Sequence, residues 1–265
     1  MKIKGPKRII CLTEEPTEIL YLLGEQHRIV GISRYTVRPE EAKKNHPIVS
    51  AFVDGSVKKI SELKPDLVIG FSDIQGDLAA KLIKANLQVL IFNQRSIEEI
   101  LEVILTIGRI VSAEDKAQEL VDDYKKRLDK FRENSDKIQN KPKVYFEEWD
   151  DPMISGIKWV SEIIQIAGGI DIFPELQNES LAKNRIIHDP DLVVKRNPEI
   201  IIASWCGKKF KKDIMVERYG WKDIDAVIND RIYEIKSEII LQPGPASVID
   251  GLKIIHNLIN DWYNN

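Results

Sequence analysis

Acidic residues stand in two doublets, Glu14-Glu15 and Glu147-Glu148, and Asp150-Asp151 closely follows the second doublet. Facing carboxylates can serve as general acid and general base, as they do in glycoside hydrolysis. Cys206 adds a thiol near two lysines, and neighbouring cations favour the reactive thiolate. One hypothesis is therefore an enzyme that uses Glu148, Asp150 and Cys206. Against it, the acids adjoin one another, and no nucleophile-and-base set surrounds them.

Other chemistry finds no support in the spacing of residues. The four histidines, at positions 27, 46, 188 and 256, are scattered and no Cys-x-x-Cys occurs, so a zinc enzyme is not indicated. No glycine-rich phosphate loop is present, and we expect neither a metal nor a cofactor. The net charge of −3 does not suit nucleic acid, which requires a strongly basic face. Cys11 and Cys206 fall in different predicted lobes, so we expect two ordinary buried thiols and no disulfide.

Aromatic, arginine and small polar residues that follow predicted strands favour binding over catalysis. A tryptophan in such a position offers a large flat apolar surface with one donor, and an arginine fork holds amides, carboxylates or phosphates. This set suits a large ligand that is planar or amphipathic. The candidate ligand-binding residues are Glu15, Arg34, Tyr35, Phe52, Phe71, Ser72, Asn93, Arg95, Trp149, Asp150, Trp205 and Cys206.

The elements that position these residues alternate between strand and helix. A continuous apolar stretch such as Asp66–Gly70 is typical of a parallel strand buried on both faces. Residues 96–138 contain no strand, and Ala113–Ile138 predicts one long helix. The remaining predicted strands are Arg8–Leu12, Ile29–Ile32, Gln88–Phe92, Lys143–Glu148, Glu199–Ser204 and Arg231–Ile235. The remaining predicted helices are Pro16–Leu23, Val57–Leu63, Gly76–Ala85, Lys158–Ala167, Asp191–Arg196 and Ala246–Trp262.

The second region of the chain repeats the plan of the first. Lys59–Gly70 resembles Leu192–Ala203, because each predicts a helix with a basic end, then proline, an acid, a branched strand and a small residue. We predict an α/β fold of two Rossmann-like lobes joined by one long rigid helix, with the ligand cleft between the lobes. The N-terminal lobe spans residues 1–112, the bridging helix 113–140 and the C-terminal lobe 141–265. Open α/β sheets bind ligands at the carboxyl ends of their strands.

Three segments carry a resemblance to a known family: Ile10–Gly24, Ile29–Ser33, and Lys59–Gly70 with its Leu-Lys-Pro-Asp-Leu-Val-Ile. They resemble class III substrate-binding proteins of ABC importers, and the resemblance extends over nearly the whole chain. It implies two α/β lobes bridged by a helix, and a ligand that is cobalamin, a ferric siderophore or haem. Cobalamin-binding proteins are the nearest subgroup. There, an aromatic residue at the position of Phe52 packs on the corrin, the positions of Phe71 and Ser72 contact it, and Trp205 also matches.

The resemblance further implies uptake through an ABC permease, although the chain departs from the family in two respects. The first-lobe acid that docks on the permease falls where this chain has Lys58-Lys59, and the basic start Met1–Arg8 leads into an apolar run too short for a leader. We predict a monomeric, non-enzymatic binder of a bulky metal chelate, above all a corrinoid, with a ferric siderophore or haem as the alternative. We expect it in the cytoplasm as the sequence stands, or in the periplasm or at the cell surface if a leader was removed.

Overall fold

The computed structural model describes residues 5–264, so Met1–Lys4 of the predicted first lobe and Asn265 of the second lie outside the described residues. The chain divides into two compact units. Unit 1 contains the residues up to 94 together with 98–123, and unit 2 contains residues 95–97 and those from 124 onward. Each unit has a largely parallel sheet with helices, which confirms the predicted α/β class with two lobes.

Six short strands form the sheet of unit 1: β1 (Ile9–Cys11), β2 (Ile29–Ser33), β3 (Ile48–Ala51), β4 (Asp54–Gly55), β5 (Leu67–Phe71) and β6 (Val89–Phe92). Their order across the sheet is β4-β3-β2-β1-β5-β6. Neighbours run parallel except in the antiparallel hairpin β3–β4. Strand β5 is buried along its whole length, as its continuous apolar sequence predicts.

Four helices connect the strands of unit 1: α1 (Glu14–Leu22), α2 (Ala42–Asn45), α3 (Val57–Glu62) and α4 (Gly76–Lys84). Helix α3 begins after Ser56, whose hydroxyl caps it by accepting a hydrogen bond from the Lys59 backbone N–H at 3.3 Å. Leu78 and Leu82, one helical turn apart on α4, pack into the same buried cluster as Val68 of β5. These contacts bury the apolar stripe of the helix against the sheet.

Two helices follow, α5 (Ile97–Ile110) and α6 (Glu114–Ser135), and α6 contributes residues to both units. The predicted long helix is present, with ends within three residues of the predicted ones. The chain turns between α5 and α6 at Ser112, which has a left-handed φ of +59°. The two helices approach closely because Gly108 has no side chain, and a Cβ there would lie 2.3 Å from the Cβ of Ala117.

Five strands form the sheet of unit 2: β7 (Lys143–Asp150), β8 (Met153–Ser155), β9 (Ile170–Asp171), β10 (Ile200–Ala203) and β11 (Ile232–Glu234). The order is β11-β10-β7-β8, and β9 pairs with β7 beside this path. Strands β9, β10 and β11 are parallel to their neighbours, and β8 is antiparallel to β7. The central buried cluster contains Tyr145, Phe173 and Trp221, whose rings meet edge to face.

Six α-helices complete unit 2: α7 (Lys158–Ala167), α8 (Asp191–Arg196), α9 (Lys212–Val216), α10 (Asp225–Ile228), α11 (Ser237–Ile240) and α12 (Leu252–Asn264). Helix α7 ends at Gly168, whose φ of +103° provides the left-handed residue that stops the helix. The predicted helix Ala246–Trp262 begins as a π-helical turn, Ser247–Gly251, before it continues as α12.

The structure departs from the predicted elements mainly in short elements that were missed, which are the helices α2, α9, α10 and α11 of four or five residues each and four short strands. Strands β3, β4, β8 and β9 have two to four residues each, and a periodic pattern needs more residues than that to be distinguished from a loop. Within residues 5–264, no helix has the length and apolar content needed to cross a membrane.

Candidate functional site

Strand order directs attention to the carboxyl ends of β1 and β5 in unit 1. From β1 the chain proceeds through β2 and β3 on one side of the sheet, and later through β5 and β6 on the other. The loops after β1 and β5 therefore flank a topological switch point, where open α/β sheets characteristically bind ligands. We call the loops after β1, β2, β3, β5 and β6 the unit 1 edge.

Gln75 is the side chain that holds the unit 1 edge together. It is fully buried, and its Oε1 accepts a hydrogen bond from the Phe71 backbone N–H at 3.0 Å. Its Nε2 donates to the carbonyl oxygens of Phe52 at 2.5 Å and Leu12 at 3.4 Å. The tip of the β3–β4 hairpin is thereby tied to the ends of β1 and β5. Gly70 makes room for this contact, because a Cβ there would lie 2.4 Å from the Gln75 Oε1.

The aromatic residues of the unit 1 edge differ in exposure. Phe52 occupies the first position of the two-residue turn between β3 and β4, and its side chain is 37% exposed. Phe71 is the last residue of β5 and is only 6% exposed. Ser72 is fully buried, and has a φ of +70°, a backbone conformation that is costly for a residue other than glycine. Of the two phenylalanines, Phe52 is therefore the one that is open to a ligand.

Glu15 lies in the first turn of α1, directly after β1, and is 2% exposed. Neither of its carboxyl oxygens has a hydrogen-bond partner among the described residues. Burial raises the pKa of Glu15 to about 7, with the nearby Thr13 hydroxyl acting in the opposite direction and the charge of Glu18 adding to the rise. A buried acid of this kind avoids the cost of an unpaired negative charge in one of two ways: it stays protonated, or it accepts a hydrogen bond from another molecule.

The polar candidates of the unit 1 edge follow neighbouring strands. Arg34 and Tyr35 follow β2, and both side chains are exposed. Asn93 follows β6 and is also exposed. Arg38 is half-buried, and its Nε donates to the Glu18 carboxylate at 2.9 Å. The carboxyl ends of these parallel strands lie along one edge of one sheet, as the sequence predicted for these residues.

In unit 2 the corresponding switch point lies between β7 and β10, because β9 and β11 extend from opposite sides of this pair. We call the end of β7 and the loop after β10 the unit 2 edge. Glu147 is fully buried there and is fully engaged. It accepts hydrogen bonds from the Tyr145 hydroxyl at 2.8 Å, the Trp205 Nε1 at 2.9 Å and two N–H groups of Arg218 at 2.5 and 3.0 Å. Burial, together with the charge of Glu147, raises the pKa of Tyr145.

Trp205 therefore belongs to the core of unit 2. Its side chain is 4% exposed, lies in the central buried cluster and meets Phe210 edge to face. The expectation that Trp205 presents an open face to a ligand needs correction. A buried carboxylate requires hydrogen-bond donors, and the Trp205 indole N–H is one of those that donate to Glu147.

Glu148 is paired with Arg185, which is 2% exposed. The other N–H groups of Arg185 donate to the carbonyl oxygens of Ser155, Glu179 and Ser180 at 3.0–3.2 Å. Burial raises the pKa of Glu148, while the positive charges of Arg185 and Arg95 oppose the rise. Glu148 is thus held in place by its ion pair with Arg185.

Lys208 fastens the loop after β10 to the end of β7. Its Nζ donates to both carboxylate oxygens of Asp150 at 2.6 and 2.7 Å. The same ammonium lies 5.3 Å from the ring centre of Trp149 and 5.1 Å from that of Trp205, within cation–π range. The Trp149 indole donates to the Asp151 carbonyl at 2.9 Å. Trp149 is half-buried and held in orientation, which suits a rigid aromatic contact surface.

The three residues of the enzyme hypothesis, Glu148, Asp150 and Cys206, all lie at the unit 2 edge. Glu148 and Asp150 each have a cationic partner, and Cys206 is exposed, contrary to the expectation that both thiols are buried. Only Cys11 is buried, and burial raises its pKa to about 12. Within residues 5–264, no group of three or more His, Cys, Asp or Glu side chains is arranged to hold a metal ion.

Sequence reasoning missed the residues that hold both edges in place. Gln75, Arg185 and Arg218 make most of the hydrogen bonds described above, yet each lies far along the chain from at least one of its partners. One signal was available. Buried acids need cations, so the Glu147-Glu148 doublet at a strand end predicts two arginines nearby, without identifying which two.

Comparison with known proteins identifies the family. Residues 9–239 match the family described as periplasmic binding protein. The chain is also 30% identical, over 264 residues, to the uncharacterized ABC transporter substrate-binding lipoprotein YvrC of Bacillus subtilis, and the alignment covers 94% of this chain and 79% of that protein. The chain belongs to the periplasmic binding protein family. The resemblance to substrate-binding proteins of ABC importers is thereby confirmed.

Two further similarities bear on the ligand of this periplasmic binding protein. A vitamin B12-binding protein of Vibrio vulnificus is 28% identical over 255 residues, covering 92% of this chain and 86% of that protein. A crystal structure from Staphylococcus epidermidis, described as a possible iron-binding, periplasmic solute-binding protein, superimposes with a TM-score of 0.81 at 27% identity. That match covers 97% of this chain and 99% of the other. Both relatives are described as binding proteins.

Proposed function

We propose that this periplasmic binding protein binds a corrinoid and acts as the solute-binding component of an uptake system. The observation that carries the proposal is the similarity to a vitamin B12-binding protein along 92% of the chain. The two edges support it, because they combine exposed or half-buried aromatic faces with polar groups, the surface that a large amphipathic chelate requires.

In unit 1, the proposed contacts are the Phe52 ring and the polar groups around it. Phe52 protrudes from a tight turn whose carbonyl is held by Gln75, so the backbone that carries its ring is fixed before the ligand arrives. Arg34, Tyr35 and Asn93 extend from neighbouring strand ends and can reach polar substituents of the ligand. Phe71 and Ser72 lie beneath this surface and support it.

In unit 2, the proposed contact is the indole face of Trp149. Its orientation is fixed by the hydrogen bond to the Asp151 carbonyl and by the Lys208 ammonium. Arg95 belongs to the same unit, and its charge acts on Glu148. We propose that Arg95 contributes a donor next to the aromatic face, and that Asp150 and Cys206 mark the margin of this surface.

Fluorescence titration tests the proposal, because a corrinoid quenches a tryptophan that it contacts. We expect cyanocobalamin and dicyanocobinamide to quench the protein at concentrations on the order of ten micromolar or below. Free N-acetyltryptophanamide corrects for absorption by the ligand. Trp149→Phe should remove most of the quenching, and Trp262→Phe, on the last helix of unit 2, should leave it. No saturable quenching at tens of micromolar would exclude the corrinoid.

An iron chelate is the second candidate ligand. The similarity to the Staphylococcus epidermidis protein described as a possible iron binder favours it. Haemin and a ferric siderophore are therefore titrated in parallel with the corrinoids. Saturable binding of either iron chelate, with no response to corrinoids, would transfer the proposal to that ligand class.

We further propose an ABC permease as partner and a position outside the cytoplasm. The name of the Bacillus subtilis relative, an ABC transporter substrate-binding lipoprotein, favours both and argues against our cytoplasmic expectation. The internal repeat aligns Lys58 of unit 1 with Asp191 of unit 2, and Asp191 is exposed at the start of α8. Asp191→Lys should weaken stimulation of the permease ATPase, while Lys58→Gln should not. Equal effects of both variants would contradict this docking role.

A further inference from the structure

Glu15 differs from Glu147, Glu148 and Glu18, because among the described residues no cation is paired with it. Glu147 and Glu148 in unit 2 are each paired with an arginine, and Glu18 in unit 1 is paired with Arg38. Glu15 is about as buried as Glu147 and more buried than Glu148 and Glu18, yet neither of its oxygens has a hydrogen-bond partner among the described residues. A buried acceptor without a hydrogen bond costs free energy. We therefore expect the carboxyl oxygens of Glu15 to have a hydrogen-bond donor in the ligand-bound protein.

The location of Glu15 indicates where that partner comes from. The residue stands in the first turn of α1, four positions after Cys11 at the end of β1, the strand that borders the switch point of the sheet. A ligand at this switch point approaches the first turn of α1. The orphan acceptor and the topology are independent observations, and both point to a group supplied by the ligand.

We propose that the Glu15 carboxylate accepts a hydrogen bond from an amide N–H on the rim of the ligand, and so selects chelates rimmed by neutral amides over chelates rimmed by carboxylates. This inference rests on the proposed binding function. A primary carboxamide supplies the N–H donor that Glu15 lacks. A carboxylate in the same position would bring a second negative charge against a buried acid, where screening is weak.

The arginines of unit 1 do not reverse this preference. Arg38 is already paired with Glu18, and Arg34 is exposed, so water and salt screen its attraction for a carboxylate. Glu15 acts from a buried position and therefore has the stronger effect per charge. The rim of a corrinoid carries carboxamides, whereas haem carries two propionates, so Glu15 favours the corrinoid.

Derivatives of a single ligand test the inference. Monocarboxylic acids of cyanocobalamin, each with one amide hydrolysed, differ from the parent by one rim group. At pH 8, we expect the protein to bind at least one of these acids about tenfold or more weakly than cyanocobalamin, the factor expected for a hydrogen bond to a charged group. Glu15→Gln should abolish the discrimination against that acid, because the amide side chain can donate to a carboxylate. The exposed Glu62→Gln should retain it.

A second variant is needed in case glutamine at position 15 binds cyanocobalamin as well as glutamate does. Glu15→Leu removes the acceptor and should weaken cyanocobalamin binding about tenfold, with circular dichroism establishing that the variant is folded. If the protein binds cyanocobalamin and its acids equally, or if Glu15→Gln preserves the discrimination, the inference is wrong although the binding function stands. If no corrinoid binds the unaltered protein, the proposed corrinoid function itself fails.

Discussion

Replacing Glu15 with glutamine should make the protein increasingly stable, relative to the unaltered protein, as pH rises. A glutamate has an ordinary pKa of 4.5, and burial raises the pKa of Glu15 to about 7. The folded state therefore holds this proton more tightly than the unfolded state, so stability is lost as pH rises from 4.5 to about 7 and then levels off. At 1.4 kcal/mol for each tenfold change in proton affinity, the full loss is about 3 kcal/mol.

The diagnostic quantity is how the difference between the two proteins changes with pH. A buried glutamine brings its own unsatisfied donor, which shifts the difference by a constant at every pH. Between pH 5 and pH 8 we expect the free energy of unfolding of Glu15→Gln to rise by about 2.5 kcal/mol relative to the unaltered protein. Glu62→Gln, which alters an exposed residue of the same unit, serves as the matched control and should show no comparable trend.

Urea unfolding followed by two signals assigns the effect to the correct unit. All five tryptophans lie in unit 2, whereas far-UV circular dichroism reports on both units. We expect the pH-dependent shift in circular dichroism, and a smaller shift or none in tryptophan fluorescence. If the difference between Glu15→Gln and the unaltered protein stays constant from pH 5 to pH 8, the folded protein does not hold a buried, unpartnered carboxyl at this position.

Three further predictions follow from contacts described above. Gly70→Ala should lower the free energy of unfolding by about 2 kcal/mol in urea titrations, since its Cβ would lie only 2.4 Å from a buried side-chain oxygen; a neutral effect would contradict this. Arg218→Met should cost about 3–5 kcal/mol by leaving Glu147 buried without its cation, and adding Glu147→Gln should recover part of the loss; no recovery would argue against the pairing. Native protein should expose one thiol to Ellman's reagent, Cys206, because Cys11 is buried with a pKa of about 12; two reactive thiols before unfolding would contradict the burial.

The sequence predicted the fold well because the longer elements carry strong patterns. The buried strand Leu67–Phe71 and the helix Lys158–Ala167 with its terminal glycine were predicted within one residue at each end. The hairpin that carries Phe52 was not predicted, since its second strand has two residues. Short strands depend on contacts with neighbouring strands that no local pattern records.

The site was harder to predict, because exposure is a property of the folded chain. Trp149 and Trp205 both follow a strand in the sequence, yet Trp149 is half-buried and Trp205 serves the core as a donor to Glu147. The difference depends on Arg218, which comes from a distant loop and completes the cluster around Glu147. Sequence spacing gives the order of residues along an edge, and only tertiary contacts decide which of them remain open to a ligand.

Because the two units share one plan, the partners of their acidic doublets can be compared. Each unit has an acidic doublet at or soon after the end of its first strand. The doublet of unit 2 is paired with Arg185 and Arg218, whereas neither carboxyl oxygen of Glu15 in unit 1 has a hydrogen-bond partner among the described residues. A fully paired carboxylate is rigid and unavailable, so that doublet stabilises the strand end and fixes the aromatic surface beside it. Glu15 has no such partner, which costs stability in the free protein and leaves an acceptor available. We expect a ligand that supplies the missing donor to recover that free energy on binding, so that the Glu15 carboxyl becomes a source of affinity and selectivity.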